Sequence, residues 1–170
     1  QNIYVTGYVT RNTDTNNTDA VLIKYNKKGN QVWADTINGN GNPSTDKAWG
    51  IVVDTDNFIY ITGQTGVYSQ GLNYLIAKYT TTGLESWRKP YNGPVNGDDY
   101  STAIALMPNH KVAVTGTSMG QNSNFDFLTL VINNSNGNFS SENRYGMNPI
   151  TDDIAEDLAV SSTNKIYVTG

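Results

Sequence analysis

One five-residue phrase is written four times along this 170-residue chain: Ile3-Tyr4-Val5-Thr6-Gly7, Ile59-Tyr60-Ile61-Thr62-Gly63, Val112-Ala113-Val114-Thr115-Gly116 and Ile166-Tyr167-Val168-Thr169-Gly170. The closing glycines lie 56, 53 and 54 residues apart. A period near fifty marks a repeat architecture. Each unit is one supersecondary module that cannot hide its apolar surface alone and must lean on the next.

Other segments keep the same step. Ala20 to Tyr25 returns as Tyr74 to Tyr79 and, more loosely, as Phe127 to Ile132. Gly29, Gly83 and Gly137 are each 54 apart, and Trp33 and Trp87 follow the first two by four residues. Asp46, Asp99 and Asp153 precede the matched runs Ile51-Val52-Val53, Ile104-Ala105-Leu106 and Leu158-Ala159-Val160.

The composition suits strands and turns. Asn (23) and Thr (20) are abundant, Gly reaches 16, and no stretch of ten or more residues shows the helical period of 3.6. Net charge is −4 and the eleven Lys and Arg are scattered, which argues against a nucleic-acid surface. No run reaches membrane-spanning length, so no membrane insertion is expected. With no Cys, disulfides and thiol chemistry are excluded, but the compartment is not decided. Asn16-Asn17-Thr18, Asn133-Asn134-Ser135 and Asn138-Phe139-Ser140 fit the glycosylation sequon, a frequent coincidence in so Asn-rich a chain.

The best-formed period reads as four strands. Ala48 to Val53 is the first, the turn Asp54-Thr55-Asp56-Asn57 follows, and Phe58 to Thr62 is the second. A variable loop, Gln64 to Leu72, leads to a third strand, Asn73 to Thr80. Thr81-Thr82-Gly83 turns the chain into a fourth, Leu84 to Tyr91. Four antiparallel strands per period predict an all-β fold made of β-propeller blades. Ala20-Val21-Leu22-Ile23 and Tyr74-Leu75-Ile76-Ala77 are apolar at consecutive positions, as strands buried on both faces should be. A β-sandwich predicts alternation instead. Small residues such as Ala105 and Ala159 in the first strand suit the place where blades converge.

These residues resemble the bacterial SBBP β-propeller repeat: an Asp, Ile-x-Val, an Asp/Asn turn, Ile-Tyr-Val-Thr-Gly, an apolar run ending Lys-Tyr, Gly, then Trp. Repeat two matches best. Repeat three departs, with Val131 in place of the Lys and Ser140 or Ser141 where the Trp is expected. A weaker likeness is to the quinoprotein propeller repeat, through Gly29 to Trp33 and Gly83 to Trp87. The first resemblance implies a propeller in secreted or surface-exposed bacterial proteins, without a shared catalytic site.

The expected division is a partial blade over 1–45, blades over 46–98 and 99–152, and a partial blade over 153–170. Three periods are too few to close a ring. The expected partners are therefore further repeats of a longer chain or another copy, and the 170 residues alone should self-associate through open blade faces.

Chemistry is sparse. His110 is the only histidine and falls in a turn, so no Ser-His-Asp or His-metal set can be assembled and no catalytic residue is expected. Asp46, Asp99 and Asp153 read either as a Ca²⁺-holding ring or, preferred, as acceptors for backbone N–H groups in every repeat. Asp14, Asp19, Asp98 and Asp152 lack the spacing of a calcium loop. Trp33 and Trp87 read as fasteners of the outer strands, and Gly7, Gly63 and Gly116 as repeat positions.

Binding candidates are the positions the repeat does not require. These are Trp49, whose equivalents are Thr102 and Glu156, and the loops Tyr8 to Thr18, Gln64 to Leu72 and Thr117 to Asn124, with Tyr8, Tyr68, Met119 and Asn122. The expected function is a non-enzymatic scaffold or binding module, secreted or at the cell surface, holding a protein or glycan on its rim loops. The alternatives are a piece of a propeller enzyme with its catalytic residues elsewhere, or a subunit that assembles through its open faces.

Overall fold

The computed structural model describes residues 2–11, 17–39, 44–147 and 150–170. Asp14, Asn16 and most of the loop ahead of Thr18 lie outside them. The described residues are all-β, in four antiparallel sheets, with no helix. The first sheet holds β1 (Ile3–Thr10), β2 (Thr18–Tyr25) and β3 (Gln31–Ile37). The second is a four-stranded meander of β4 (Lys47–Val53), β5 (Ile59–Val67), β6 (Gly71–Tyr79) and β7 (Glu85–Arg88). The third repeats it with β8 (Asp99–Met107), β9 (Lys111–Met119), β10 (Phe125–Asn133) and β11 (Phe139–Tyr145). The last pairs β12 (Asp157–Val160) with β13 (Ile166–Thr169).

Turn chemistry explains the spacing. The turns between first and second strands put Asn57, His110 and Asn164 at φ of 65°, 57° and 61°, the left-handed region that Asn tolerates best. His110 is exposed and stands where the other repeats place Asn. Gly29, Gly83 and Gly137, at φ of 81°, 88° and 73°, turn the third strand into the fourth.

The sheets stack face to face in chain order, with apolar layers between them. Leu75, Ala77 and Tyr79 of β6 join Ala20, Leu22 and Ile37 in a layer against the first sheet. Tyr74 and Ile76 join Val112, Val114, Leu128 and Leu130 in a layer against the third. Alternate residues of one strand thus serve opposite layers, and the consecutive apolar runs follow from that. A third layer sets Met107, Ala113 and Val131 against Leu158, Val160 and Ile166. The first strands lie side by side, β4 against β8 and β8 against β12.

The first strands of the second and third sheets each carry a bulge, between Ala48 and Gly50 in β4 and between Ser101 and Ala103 in β8. The bulge drives backbone into the consensus glycine opposite. A Cβ on Gly63 would sit 2.0 Å from the Lys47 carbonyl oxygen, and one on Gly116 would sit 2.3 Å from that of Tyr100. Only glycine fits there. Gly7, on β1 at the edge of its sheet, would meet nothing within 4 Å.

Several boundaries differ from the sequence reading: β1 runs to Thr10, into the loop expected from Tyr8, and the fourth strand expected over Leu84 to Tyr91 is Glu85–Arg88. Gln64 to Leu72 is not a loop: β5 runs on to Val67, β6 begins at Gly71, and only Tyr68, Ser69 and Gln70 turn the chain. Likewise β9 reaches Met119, leaving a shorter turn before Phe125 than Thr117 to Asn124. Polar residues continue these strands because the repeated aspartate satisfies them.

Candidate functional site

Asp46 is fully buried ahead of β4. Its Oδ1 accepts from the Thr65 hydroxyl at 2.6 Å and the Gly66 N–H at 3.1 Å. Its Oδ2 accepts from the Gly39 N–H at 2.8 Å and from the Ser44 hydroxyl. Asp99 repeats the arrangement, with Ser118 and the Met119 N–H on Oδ1 and the Gly93 N–H on Oδ2. Asp153 accepts from the Met147 N–H at 2.8 Å. Each carboxylate ties the crossing chain to its own sheet, and in Asp46 and Asp99 to the end of the second strand. Burial raises the Asp99 pKa, while these donors pull it back. Among the described residues no group of three or more His, Cys, Asp or Glu is placed to hold a metal ion.

Trp33 and Trp87 act at the opposite end of the sheets. The Trp33 indole donates to the Thr81 carbonyl at 3.1 Å and Trp87 to that of Asn134 at 3.2 Å. Lys24 and Lys78, their cross-strand neighbours, donate to the same two carbonyls at 2.7 and 2.8 Å. Each tryptophan also lies against the turn glycine of the next sheet, Gly83 or Gly137. The paired register puts Ser141 of β11 opposite Val131, so Ser141 holds the place of Trp87 in the third sheet. Sequence reasoning found the tryptophans but not their lysines, because the shared acceptor sits 57 or 56 residues further along.

The residues that break the repeat gather elsewhere. Trp49, Thr102 and Glu156 occupy equivalent places at the start of three successive first strands, Trp49 and Thr102 at their bulges. Together with Tyr100 and Ile154 they line one open hollow of about 430 Å³. At Trp49 and Thr102 the bulge is the cause, turning each out of its ladder where no cross-strand partner dictates its identity, and Glu156 stands just ahead of the β12–β13 ladder. Trp49 is 44% exposed. The Thr102 hydroxyl is engaged with the Ala155 carbonyl at 2.8 Å, which leaves the indole, the phenol and the Glu156 carboxylate as the chemistry on offer. Tyr100 packs edge-on against Phe125 at 5.8 Å. Burial raises its pKa, the Thr117 side chain pulls it back, and the Asp152, Asp98 and Glu156 carboxylates add to the rise.

The other candidates divide. The Tyr8 ring carries the Lys47 ammonium at 4.8 Å from its centroid. Tyr68, 79% exposed, tips the β5–β6 turn, and Asn122 is exposed in the β9–β10 turn. Both turns stand at the end of the sheets where β4 and β8 begin. The Met119 side chain is spent on packing against Gly97 and does not line the hollow. Sequence reasoning missed Tyr100 and Ile154, whose only signal was variation at the place held by Lys47 in the preceding repeat. Compared with known proteins, the chain matches no family model and no curated protein.

Proposed function

We propose that the four sheets are successive blades of a β-propeller, and that the chain is a non-enzymatic binding module of a secreted or cell-surface bacterial protein. The first part is supported by the identical meanders, by their face-to-face order and by first strands that run side by side as they would around an axis. The bacterial and extracellular setting rests on the motif likeness to the SBBP repeat alone.

One observation carries the binding role. Trp49, Thr102 and Glu156 differ from one another at positions outside the strand ladders, and they meet on one hollow. A residue that the scaffold does not prescribe is open to selection by a ligand. The ligand is a protein or glycan presented to the rim on which Tyr68 and Asn122 also stand. Screening the protein and its Trp49→Ala variant against glycan and protein arrays tests this. Binding lost in the variant supports the reading, whereas turnover of a screened ligand, or binding indifferent to Trp49, sinks it.

A second reading, assembly through open faces, is favoured by Ile3 and Val5, 52% and 45% exposed on the edge strand β1. Light scattering tests it, with a monodisperse monomer as the contrary result.

A further inference from the structure

We infer that the hollow among Trp49, Tyr100 and Glu156 takes a cationic side chain, the arginine or lysine of a partner protein. This deepens the binding role proposed above and rests on it.

The argument is one of complementarity. Of the five lining residues, two are aromatic, one is aliphatic, one is a threonine already engaged with the Ala155 carbonyl, and one is a carboxylate. Glu156 is exposed and has no ion-pair partner among the described residues. None of the lining residues is a cation. The ammonium closest along β4, that of Lys47, is turned onto the Tyr8 ring. The Asp98 and Asp152 carboxylates, which accept from the Leu72 and Phe125 N–H groups, add negative charge near the Tyr100 phenol. Aromatic faces attract cations through their quadrupole, and a carboxylate accepts hydrogen bonds without donating any. A neutral sugar could use the indole N–H, the phenol and the carboxylate, but it would leave the Glu156 charge uncompensated. A guanidinium or ammonium offers only donors and brings an apolar stem for Ile154 and the Trp49 face. The hollow's volume, about 430 Å³, holds one such side chain with room for its flanking backbone.

The probe is a fluorescent tetrapeptide, Gly-Ser-Arg-Gly, read by anisotropy, with the citrulline peptide of the same shape as neutral control. Runs at two salt concentrations separate local contact from the general pull of a chain of net charge −4. The arginine peptide should bind about tenfold tighter than the citrulline one. Trp49→Ala and Glu156→Gln should each weaken it by about fivefold or more. Asp56→Asn, which removes one exposed charge at the opposite end of the sheets, should leave it unchanged. Equal binding of the two peptides, or equal losses in Glu156→Gln and Asp56→Asn, would overturn the inference. A neutral oligosaccharide that binds in a Trp49-dependent way while the arginine peptide does not would also overturn it, yet leave the binding module standing. If neither probe depends on Trp49, both readings fall.

Discussion

The Lys78 ammonium and the Trp87 indole converge on one carbonyl oxygen, that of Asn134, at 2.8 and 3.2 Å. They face each other across β6 and β7, while the carbonyl belongs to the next sheet. Burial lowers the Lys78 pKa, and its ammonium lies 3.9 Å over the Phe58 ring. Two donors on one acceptor make the pair a unit. Trp87→Phe should cost about 0.5–1.5 kcal/mol by removing one donor. In a double-mutant cycle with Lys78→Met, chemical denaturation should show a coupling of about 0.5 kcal/mol or more. Strict additivity would mean that the shared carbonyl contributes nothing.

The consensus glycine offers a test within one repeat position. Gly116→Ala should destabilise by about 1–3 kcal/mol, since the new methyl lands on the bulged backbone of β8. Gly7→Ala should stay within about 0.5 kcal/mol, because nothing stands within 4 Å of the added carbon. Thermal melts decide. Equal costs would show that the glycine is required by β1 itself and not by the strand that presses on it.

Asp99 predicts a pH dependence with a definite sign. Its carboxyl is held above the ordinary 3.8, chiefly by burial, so the folded state binds this proton more tightly than the unfolded state does. The stability it contributes is complete below 3.8 and is lost as pH rises through the folded value. Asp99→Asn should be destabilised by about 1–3 kcal/mol near neutrality, because an amide turns a donor toward the donors on this site. The gap between wild type and variant should be wider at about pH 3 than at about pH 7. Urea titrations at both values measure it; a gap that widens with pH would mean that the hydrogen bonds outweigh burial.

Tyr68 and Trp49 separate the turn tip from the hollow. Tyr68→Ser removes a ring that is 79% exposed and should change stability by no more than about 0.5 kcal/mol. Ligand capture should survive it and fail in Trp49→Ala. The opposite pattern on the same array would move the site to the turn.

The limits of the strands show where local reading ended. Gln64-Thr65-Gly66 and Thr117-Ser118 look like loop, being polar and glycine-bearing. They are buried strand, with Asp46 reaching back across its sheet to satisfy Thr65 and Gly66 and Asp99 doing the same for Ser118. No window of a few residues contains that partner. Trp49 was legible as a departure from the period, and Thr102 and Glu156 as its equivalents. That all three open onto one hollow, beside Tyr100 and Ile154, was not.

The sequence alone determined the periodicity, the strand-and-turn chemistry and the identity of what each repeat must keep, since glycine, asparagine and apolar runs act through their own backbone preferences and burial. Tertiary structure decided why it is kept and what is left free. The bulge that demands Gly63 also turns Trp49 outward, and the carbonyl that Trp87 needs arrives only when a second sheet packs against the first.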